Sequence, residues 1–166
     1  MDSETAKSAD YLSRLGDADD WQINQSVFSQ LNQTWGPHHV DRFASSHNKK
    51  CVRYNSRWWF SGTEAVNAFN QNWAAGLNWV VPPPRLATQV ISKLEKERAN
   101  CTLILPMWKS APFWPMIANA QGFKNFVDTH VVLDKLHCVL PGQGNNGVFG
   151  KAPLPFHMVA LKIRFS

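Results

Sequence analysis

The stretch that decides the fold runs from Leu77 to Pro106 and reads LNWVVPPPRLATQVISKLEKERANCTLILP. It starts with a short apolar run that stops at Pro82–Pro84, because prolines cannot donate the backbone hydrogen bonds that extend a sheet. The run from Cys101 to Leu105 has no polar alternation, which is typical of a central strand covered on both faces. Between these runs lies an amphipathic helical pattern, with an apolar face of Leu86, Val90, Ile91 and Leu94 and a charged face of Lys93, Glu95, Lys96, Glu97 and Arg98. Strand, helix and strand in this order predict parallel strands joined by a helical crossover.

The N-terminal half contains further elements that suit such a sheet. A helix should begin after Asn24, which is a good N-cap residue, and His39 to Ala44 alternates as a strand does. We expect another helix from Thr63 to Phe69, with Val66 and Phe69 turned inward.

The C-terminal third changes character. A short helix is expected from Phe113 to Ala120, and then two strands, His130 to Val139 and Phe156 to Phe165, flank a glycine-rich loop from Gly142 to Pro153. Two strands around one loop predict an antiparallel hairpin at a sheet edge. The whole pattern predicts an α/β sandwich of the Rossmann-like kind, with an open, mostly parallel sheet that ends in this hairpin.

Composition limits the class of protein. The chain has 166 residues, of which 44% are hydrophobic and 17% charged. This composition is typical of a folded domain and not of a disordered tail. No apolar run approaches the ~20 residues of a membrane span. The net charge of +5 is compatible with nucleic-acid binding, although the basic residues are scattered as on an ordinary surface. The three cysteines have no metal-site spacing and indicate buried thiols in a reducing compartment, that is, an intracellular protein of the nucleus or cytoplasm.

The first 20 residues differ from the rest. They are polar, they include the acidic cluster Asp17-Ala18-Asp19-Asp20, and they offer little to bury. We therefore interpret 1–20 as a loosely packed leader and 21–166 as the folded domain.

The sites for chemistry are expected where strands end. In an open parallel sheet, ligands bind beyond the carboxyl ends of the strands. Three such ends carry distinctive residues: the stretch from Asp41 to Ser45, the proline turn Val81–Pro84, and Leu105 to Trp108. These three ends could share one pocket, but composition alone favours the interpretation that the prolines only terminate strands and that Trp108 belongs to the core. His38 and His39 have no cysteine or carboxylate that completes a metal set, so we expect strand-end or surface histidines and no metal site.

The order of these motifs resembles the phage-type DNA N-6-adenine methyltransferase (Dam) family from about Trp21 to Phe165. The residues that carry the resemblance are Asp41-Arg42-Phe43-Ala44-Ser45, Asn48, Cys51, Tyr54, Trp73, Pro82-Pro83, Leu105-Pro106, Phe113-Trp114 and the segment from Gly150 to Phe156.

A second resemblance concerns the leader. Ser8 to Arg14 is similar to the end of retrotransposon ribonuclease H domains, and this ending followed by a Dam-like domain is the layout of DIRS-like and Ngaro-like tyrosine-recombinase retrotransposons. Three further stretches of sequence are also similar to those polyproteins: Val40–Ser45, Trp79–Pro84 and Pro112–Pro115. Only Asp10 corresponds to a ribonuclease H carboxylate, so the chain cannot perform that two-metal chemistry by itself.

The Dam resemblance implies S-adenosylmethionine as methyl donor and DNA, favoured over RNA, as the nucleic-acid partner. It implies that the cofactor-binding residues are Asp41, Phe43, Ala44 and Asn48. It places the catalytic turn, which in the family is a polar residue, two prolines and an aromatic residue, at Val81, Pro82, Pro83 and Pro84. Here Val81 stands in place of the polar residue and Pro84 in place of the aromatic residue, so the motif is degenerate. Cofactor binding is also expected to be weakened, because Ser45-Ser46-His47-Asn48 replaces the glycines that follow the first strand in many methyltransferases.

Two classes of function follow. One is a methyltransferase-like domain with impaired or absent catalysis. The other is a non-catalytic nucleic-acid-binding or scaffolding module of a reverse transcriptase and ribonuclease H polyprotein. The substitutions at Val81 and Pro84 favour loss of catalysis with retention of the fold.

Overall fold

The computed structural model describes residues 21–44, 48–56, 63–141, 149 and 153–165. The expected leader 1–20, the motif residue Ser45 and most of the glycine-rich loop lie outside the described residues.

A seven-stranded sheet forms the centre of the molecule. Its strands are β2 (Val40–Ala44), β3 (Arg53–Ser56), β4 (Ala65–Val66), β5 (Asn78–Val80), β6 (Cys101–Pro106), β9 (Val127–Val132) and β11 (Met158–Ile163). They lie in the order β4-β3-β2-β5-β6-β11-β9. The pairs from β4 to β6 are parallel, whereas β11 runs antiparallel to both β6 and β9. The prediction of a mostly parallel α/β sheet that ends in an antiparallel pair is therefore confirmed.

Two small antiparallel pairs complete the strands. They join β1 (Trp21–Ile23) to β10 (Val139–Pro141), and β7 (Ala118–Asn119) to β8 (Gly122–Phe123). The first of these pairs holds the segment at Trp21–Ile23 against β10, and the side chains of Trp21 and Ile23 are buried.

The helices are α1 (Gln25–Trp35), α2 (Ala87–Glu97) and α3 (Trp114–Ile117), with 3₁₀ turns at Ala68–Asn70 and Pro84–Leu86. The Asn24 side chain caps α1 by accepting a hydrogen bond from the Ser26 backbone N–H. At the C-terminal end of α2, Arg98 has the left-handed backbone conformation (φ 51°). Its N–H donates to carbonyl groups of the last turn, which ends the helix.

The sheet separates two apolar cores. Leu103, Leu105 and Leu161 pack with α2 and α3 on one face, and we call this the α2 core. Ile104, Met158 and Ala160 point to the other face, where they pack with α1 and the β1–β10 pair, and we call this the α1 core. The cysteines belong to these cores: Cys51, Cys101 and Cys138 are buried free thiols, and burial raises the pKa of Cys51 to about 12. Their interpretation as core residues is confirmed.

The predicted helix at Thr63–Phe69 is wrong. Glu64 donates its backbone N–H to Tyr54 and Asn67 donates to Ser56, so this segment extends the sheet as β4 beside β3. Val66 is 40% exposed instead of buried. Pairing with a neighbouring strand, which the local pattern does not show, outweighs a weak helical propensity.

Three smaller expectations also need correction. The helix predicted from Phe113 is one turn long, because the chain becomes extended at Ala118 to pair with β8. The strand predicted at His130–Val139 is divided by a turn at Asp134 into β9 and β10. On α2, two residues of the predicted charged face, Lys93 and Glu97, form an ion pair that is largely shielded from water. Glu97 also accepts a hydrogen bond from the Trp73 backbone N–H.

Among the described residues no helix is long and apolar enough to cross a membrane.

Candidate functional site

The three predicted site segments lie at one edge of the sheet. Strands β2, β5 and β6 are adjacent and parallel, so their carboxyl ends point the same way. Asp41 pairs in register with Trp79, which precedes Val81 by two residues. We call the edge of the sheet at these carboxyl ends the rim. Asp41 therefore lies below the rim, while Val81–Pro84 and Trp108 lie at and beyond it.

The Asp41 carboxyl group is buried and fully engaged with the backbone. One oxygen accepts the Lys50 N–H at 2.9 Å and the other accepts the Phe43 N–H at 3.4 Å. Burial raises the pKa of Asp41 from 3.8 to about 7, although both N–H groups and the Lys50 charge act in the opposite direction. This side chain ties the carboxyl end of β2 to the segment that leads into β3.

The other expected cofactor residues surround this junction. Phe43 is half-buried and packs edge-on against Phe69 and Trp73, and Ala44 is half-buried at the end of β2. The Asn48 side-chain amide donates to the Trp21 carbonyl oxygen at 3.4 Å. Asn48 thus connects the rim to β1.

The proline turn follows β5 directly. Pro82 is buried, whereas Val81, Pro83 and Pro84 are half-buried. The Val81 side chain packs against the α1 core, and Pro84 opens the 3₁₀ turn that leads into α2. The position that the resemblance assigns to a polar group is therefore used for apolar packing.

An aromatic cluster around Trp108, one of the predicted strand-end residues, lies beside this turn. Trp108 contacts Phe156 edge-on with ring centroids 5.1 Å apart, and Phe149 lies 5.6 Å from Phe156. Phe149 also stacks on Trp21, with centroids 4.3 Å apart and an interplanar angle of 13°. Trp21 is 6% exposed, and among the described residues its indole N–H has no hydrogen-bond partner. The sequence indicated only Trp108 at a strand end, whereas the positions of Phe149, Phe156 and Trp21 beside it follow from the tertiary structure.

Sequence reasoning also missed a buried polar cluster around Arg42. Its guanidinium donates to the side-chain oxygens of Asn78 and Asn55, both at 2.8 Å, and to the Asn72 carbonyl at 3.1 Å. The group also lies 5.8 Å from the centroid of the Trp73 ring. These bonds join β2, β3 and β5 on the side of the α2 core, so Arg42 aligns the strands whose ends form the rim.

Both positions expected for the two histidines occur: His39, just before β2, is exposed at the surface. His38 precedes it at the same strand end and is buried. Its Nδ1 lies 2.8 Å from the Asn32 side-chain oxygen, an acceptor, so Nδ1 carries the proton and Nε2 accepts from the Thr102 hydroxyl at 2.6 Å. Burial, assisted by the nearby His39, lowers the pKa of His38 to about 4. Within the described ranges, no group of three or more His, Cys, Asp or Glu could hold a metal ion.

Asp41 and His38 should make the free energy of unfolding depend on pH in opposite directions. The folded pKa of Asp41 lies above its unfolded value, so its contribution is complete below about pH 4 and is lost as pH rises to about 7. The folded pKa of His38 lies below its unfolded value of 6.5, so its contribution is lost as pH falls from 6.5 to about 4. In Asp41→Asn the His38 effect should stand alone, and the free energy of unfolding should rise by about 2 kcal/mol from pH 4.5 to 6.5.

Urea unfolding across this pH range measures the effect. His38→Gln is the matched control, and its stability should fall over the same range. Identical pH profiles for Asp41→Asn and the unaltered chain would contradict the assignment of the buried carboxyl.

The strand order, the antiparallel β11 beside β6 and the rim at the ends of β2 and β5 define a Rossmann-like fold of the methyltransferase class. The family model described as DNA N-6-adenine-methyltransferase (Dam) matches residues 13–128, which is more than two thirds of the chain. The chain belongs to the Dam family. None of the curated proteins matches it.

Proposed function

We propose that this chain is a retroelement-derived Dam-family domain that binds DNA, binds S-adenosylmethionine weakly, and transfers a methyl group to adenine slowly or not at all. The observation that carries this proposal is the proline turn after β5. There Val81 is packed into the α1 core and Pro84 starts a 3₁₀ turn, so neither presents the group that the reaction needs.

The chemistry explains why these two positions matter. Methylation of the adenine amino group requires hydrogen-bond acceptors that orient the nitrogen lone pair towards the methyl donor. It also requires a flat surface on which the extruded base stacks. Removal of one well-placed hydrogen-bonding group typically costs about 10²–10³ in rate. Loss of an aromatic stack weakens base binding by about 1–3 kcal/mol. Both losses apply here, because valine has no acceptor in its side chain and proline has no aromatic face.

The residues near the end of β2 fit the donor in part. S-adenosylmethionine would supply the reactive methyl sulfonium. Phe43, Ala44 and Asn48 lie near the end of β2, where the resemblance implies that the donor binds. On β1, the Trp21 carbonyl accepts from Asn48, and the buried Trp21 indole N–H has no hydrogen-bond partner within the described part of the chain. The Asp41 carboxyl is already occupied by the Lys50 and Phe43 N–H groups. Asp41 therefore serves to position the rim, which supports weakened binding.

DNA binding is supported by charge and by a groove along α2. The net charge is +5, and α2, which begins just beyond Pro84, carries lysines along an open groove. The groove is lined by Phe69, Thr88, Gln89, Ser92, Lys93, Lys96 and Glu97. Lys93 is paired with Glu97, so Lys96 is the side chain on this groove that would contact a phosphate.

The retroelement origin and the cellular location rest on the sequence. The leader Ser8–Arg14 is similar to the end of ribonuclease H domains, and the three buried thiols suit a reducing compartment of the nucleus or cytoplasm. These features support a domain that acts within, or descends from, a reverse transcriptase and ribonuclease H polyprotein.

Calorimetry and a transfer assay test the proposal. Titration of the full chain with S-adenosylmethionine should give weak, saturable binding, and a gel-shift titration with duplex DNA should show complex formation. A radiolabelled methyl-transfer assay on unmethylated DNA should give a rate at or near background. Fast transfer by the unaltered chain would show that another residue supplies the acceptor and that the catalytic turn is wrongly assigned.

The second candidate function is a non-catalytic nucleic-acid-binding or scaffolding module. The aromatic cluster favours it, because Trp108, Phe149 and Phe156 pack together beside Val81. Nucleic-acid binding without any heat from S-adenosylmethionine would select this candidate, whereas saturable cofactor binding would select the first.

A further inference from the structure

The strand β9 forms an open edge of the sheet. In the described part of the chain it is the last strand of the seven-stranded sheet, and its one neighbour there is β11. All of its residues except Val127 are exposed. The strand at the opposite edge, β4, is two residues long, and shortness is one way in which proteins protect an edge from pairing with another chain. β9 has six residues and contains neither proline nor lysine, so it lacks this protection.

One hydrogen bond gives the direction of the free backbone groups of β9. Leu133, the residue after the strand, donates its backbone N–H to the Met158 carbonyl at 2.8 Å, so this N–H faces β11. Backbone groups alternate in direction along an antiparallel strand, so Val131 also faces β11, whereas Val132 and His130 face away from it. The N–H and C=O groups of Val132 and His130 are therefore directed towards any strand that joins this edge.

Exposed apolar side chains are concentrated at the same edge. Val131 is 43% exposed, Val132 is 47% exposed, and Leu136, in the turn after β9, is 48% exposed. They are three of the six large apolar side chains that are exposed among the described residues. Val131 pairs in register with Ala160 and Val132 with Val159, so the two valines lie on opposite faces of the sheet. An added strand would thus cover apolar surface on both faces and also form backbone hydrogen bonds.

The charges near this edge do not oppose the approach of an identical edge. The carboxylates at the two ends of β9 each contact a basic group of the same chain. Asp128 lies 3.5 Å from Lys162, and Asp134 lies 2.7 Å from His137. Since the strand also has no lysine, it lacks the like-charge repulsion that keeps identical edges apart in many proteins.

We propose that β9 is a dimer interface, at which two copies of this chain pair antiparallel about a two-fold axis through Val131. In this register His130 of each copy forms a hydrogen-bonded pair with Val132 of the other copy. Val131 lies opposite Val131 of the second copy in the closely spaced pair between them. The proposal goes beyond the proposed function and does not depend on it.

Self-complementarity selects this register and this occupant. An axis through His130 would also match the free backbone groups, but it would set two imidazole groups directly opposite each other. The axis through Val131 brings together two half-exposed valines instead, which is a favourable cross-strand pair. A second copy supplies a strand of matching length and twist, and the pairing closes at two copies because the short β4 offers no second edge of this kind.

A strand pair of this length forms a small interface. We expect it to bury less than about 1,200 Å² in total, which is the range of weak and transient contacts, and so to have a micromolar dissociation constant.

Analytical ultracentrifugation of the full chain between about 1 and 100 µM measures the association. The mass should rise with concentration from that of one chain to that of two and no further. His130→Pro removes the N–H that faces away from β11 and leaves the bonds to β11 in place, so it should weaken dimerisation at least about tenfold. His130→Thr is the matched control, because it also removes the imidazole but keeps the N–H, and it should dimerise like the unaltered chain.

A charge at the axis provides a second test, which also serves if His130→Pro does not fold. Val131→Lys sets two ammonium groups opposite each other and should abolish dimerisation. Val66→Lys is its matched control, because Val66 is a valine of similar exposure, 40%, on the opposite edge strand. This control should leave the dissociation constant unchanged.

A cysteine at the axis tests the register. Val131→Cys should give a disulfide-linked dimer when diamide is added as oxidant, because the side chains of a closely spaced antiparallel pair lie within disulfide distance. The native cysteines are buried, so they should not react. Val52→Cys is the control, because Val52 is 89% exposed and lies outside β9, and it should remain largely monomeric.

Each result bears directly on the proposal. A chain that stays monomeric at every concentration overturns it and leaves this edge to a strand of a different protein. Equal dimerisation in His130→Pro and His130→Thr, or in Val131→Lys and Val66→Lys, places the interface elsewhere and also overturns it. Equal cross-linking of Val131→Cys and Val52→Cys contradicts the register, and assemblies larger than a dimer contradict the two-fold closure. Cofactor binding and methyl transfer are measured separately, so a failure here leaves the proposed function unaffected.

Discussion

The double variant Val81→Asn, Pro84→Tyr should transfer methyl groups to adenine about 100-fold faster than the unaltered chain. Asparagine at position 81 places a carboxamide oxygen at the carboxyl end of β5, where it can accept a hydrogen bond from the adenine amino group. Tyrosine at position 84 adds a face on which the extruded base can stack. Each change restores one of the two features that the turn lacks, and the rim that would hold the donor is unaltered.

The same substitutions carry a stability cost. Val81 packs against the α1 core, so asparagine should lower the free energy of unfolding by about 1–2 kcal/mol. Pro84 is at the first position of a 3₁₀ turn and half-buried, where tyrosine should cost less. The domain should therefore remain folded.

The measurement is the initial rate of radiolabelled methyl incorporation into unmethylated DNA. Val81→Ala, Pro84→Ala is the matched control, because it disturbs both positions and adds neither acceptor nor ring. A double variant no faster than this control would show that the turn is not the catalytic position.

Replacement of Arg42 by methionine should destabilise the fold by about 3 kcal/mol. The change leaves two buried side-chain oxygens without a donor, those of Asn78 and Asn55, and each unpaired buried group costs about 1–3 kcal/mol. It also removes the bond to the carbonyl of the exposed Asn72, which water can replace. Relief of the buried charge offsets part of this sum, because burial of the guanidinium lowers the pKa of Arg42 and is itself unfavourable. The unpaired oxygens dominate, because the change leaves no buried carboxylate behind but does leave two buried acceptors.

Urea unfolding at neutral pH measures this loss. Arg53→Met on the adjacent strand is the control, because Arg53 is exposed and its ion pair with Glu64 should contribute less than about 1 kcal/mol. If Arg42→Met is as stable as Arg53→Met, the polar cluster does not hold the strands together.

The elements that the sequence predicted correctly are those whose evidence is local. The prolines after Val81 stop β5, and the apolar spacing of Val90, Ile91 and Leu94 produces α2. The continuous apolar run from Cys101 produces a fully buried β6. Each signal acts within a few residues, so the strand-helix-strand unit and the α/β class followed from the order of residues.

The errors occur where a distant partner decides. Thr63 to Phe69 contains a plausible helical pattern, but the free backbone groups of β3 are available to it and the segment pairs as β4. His130 to Val139 has strand-like composition throughout. The Asp134 side chain accepts the Leu136 N–H in a turn that follows β9, and β10 then pairs with β1 instead of β11.

The candidate site divides in the same way. The motifs at Asp41 and Val81–Pro84 and their position at strand ends could be predicted from the sequence, because parallel strands bring their carboxyl ends to one edge. The sequence also determined by itself that Val81–Pro84, the turn proposed as catalytic, lacks a side-chain acceptor and an aromatic face. Only the tertiary structure decided that Asp41 is occupied by backbone donors, that Arg42 joins three strands, and that Phe149 covers Trp21. The physical reason is that hydrogen bonding and stacking depend on groups that lie far apart in the chain and meet only when the sheet and its two cores have formed.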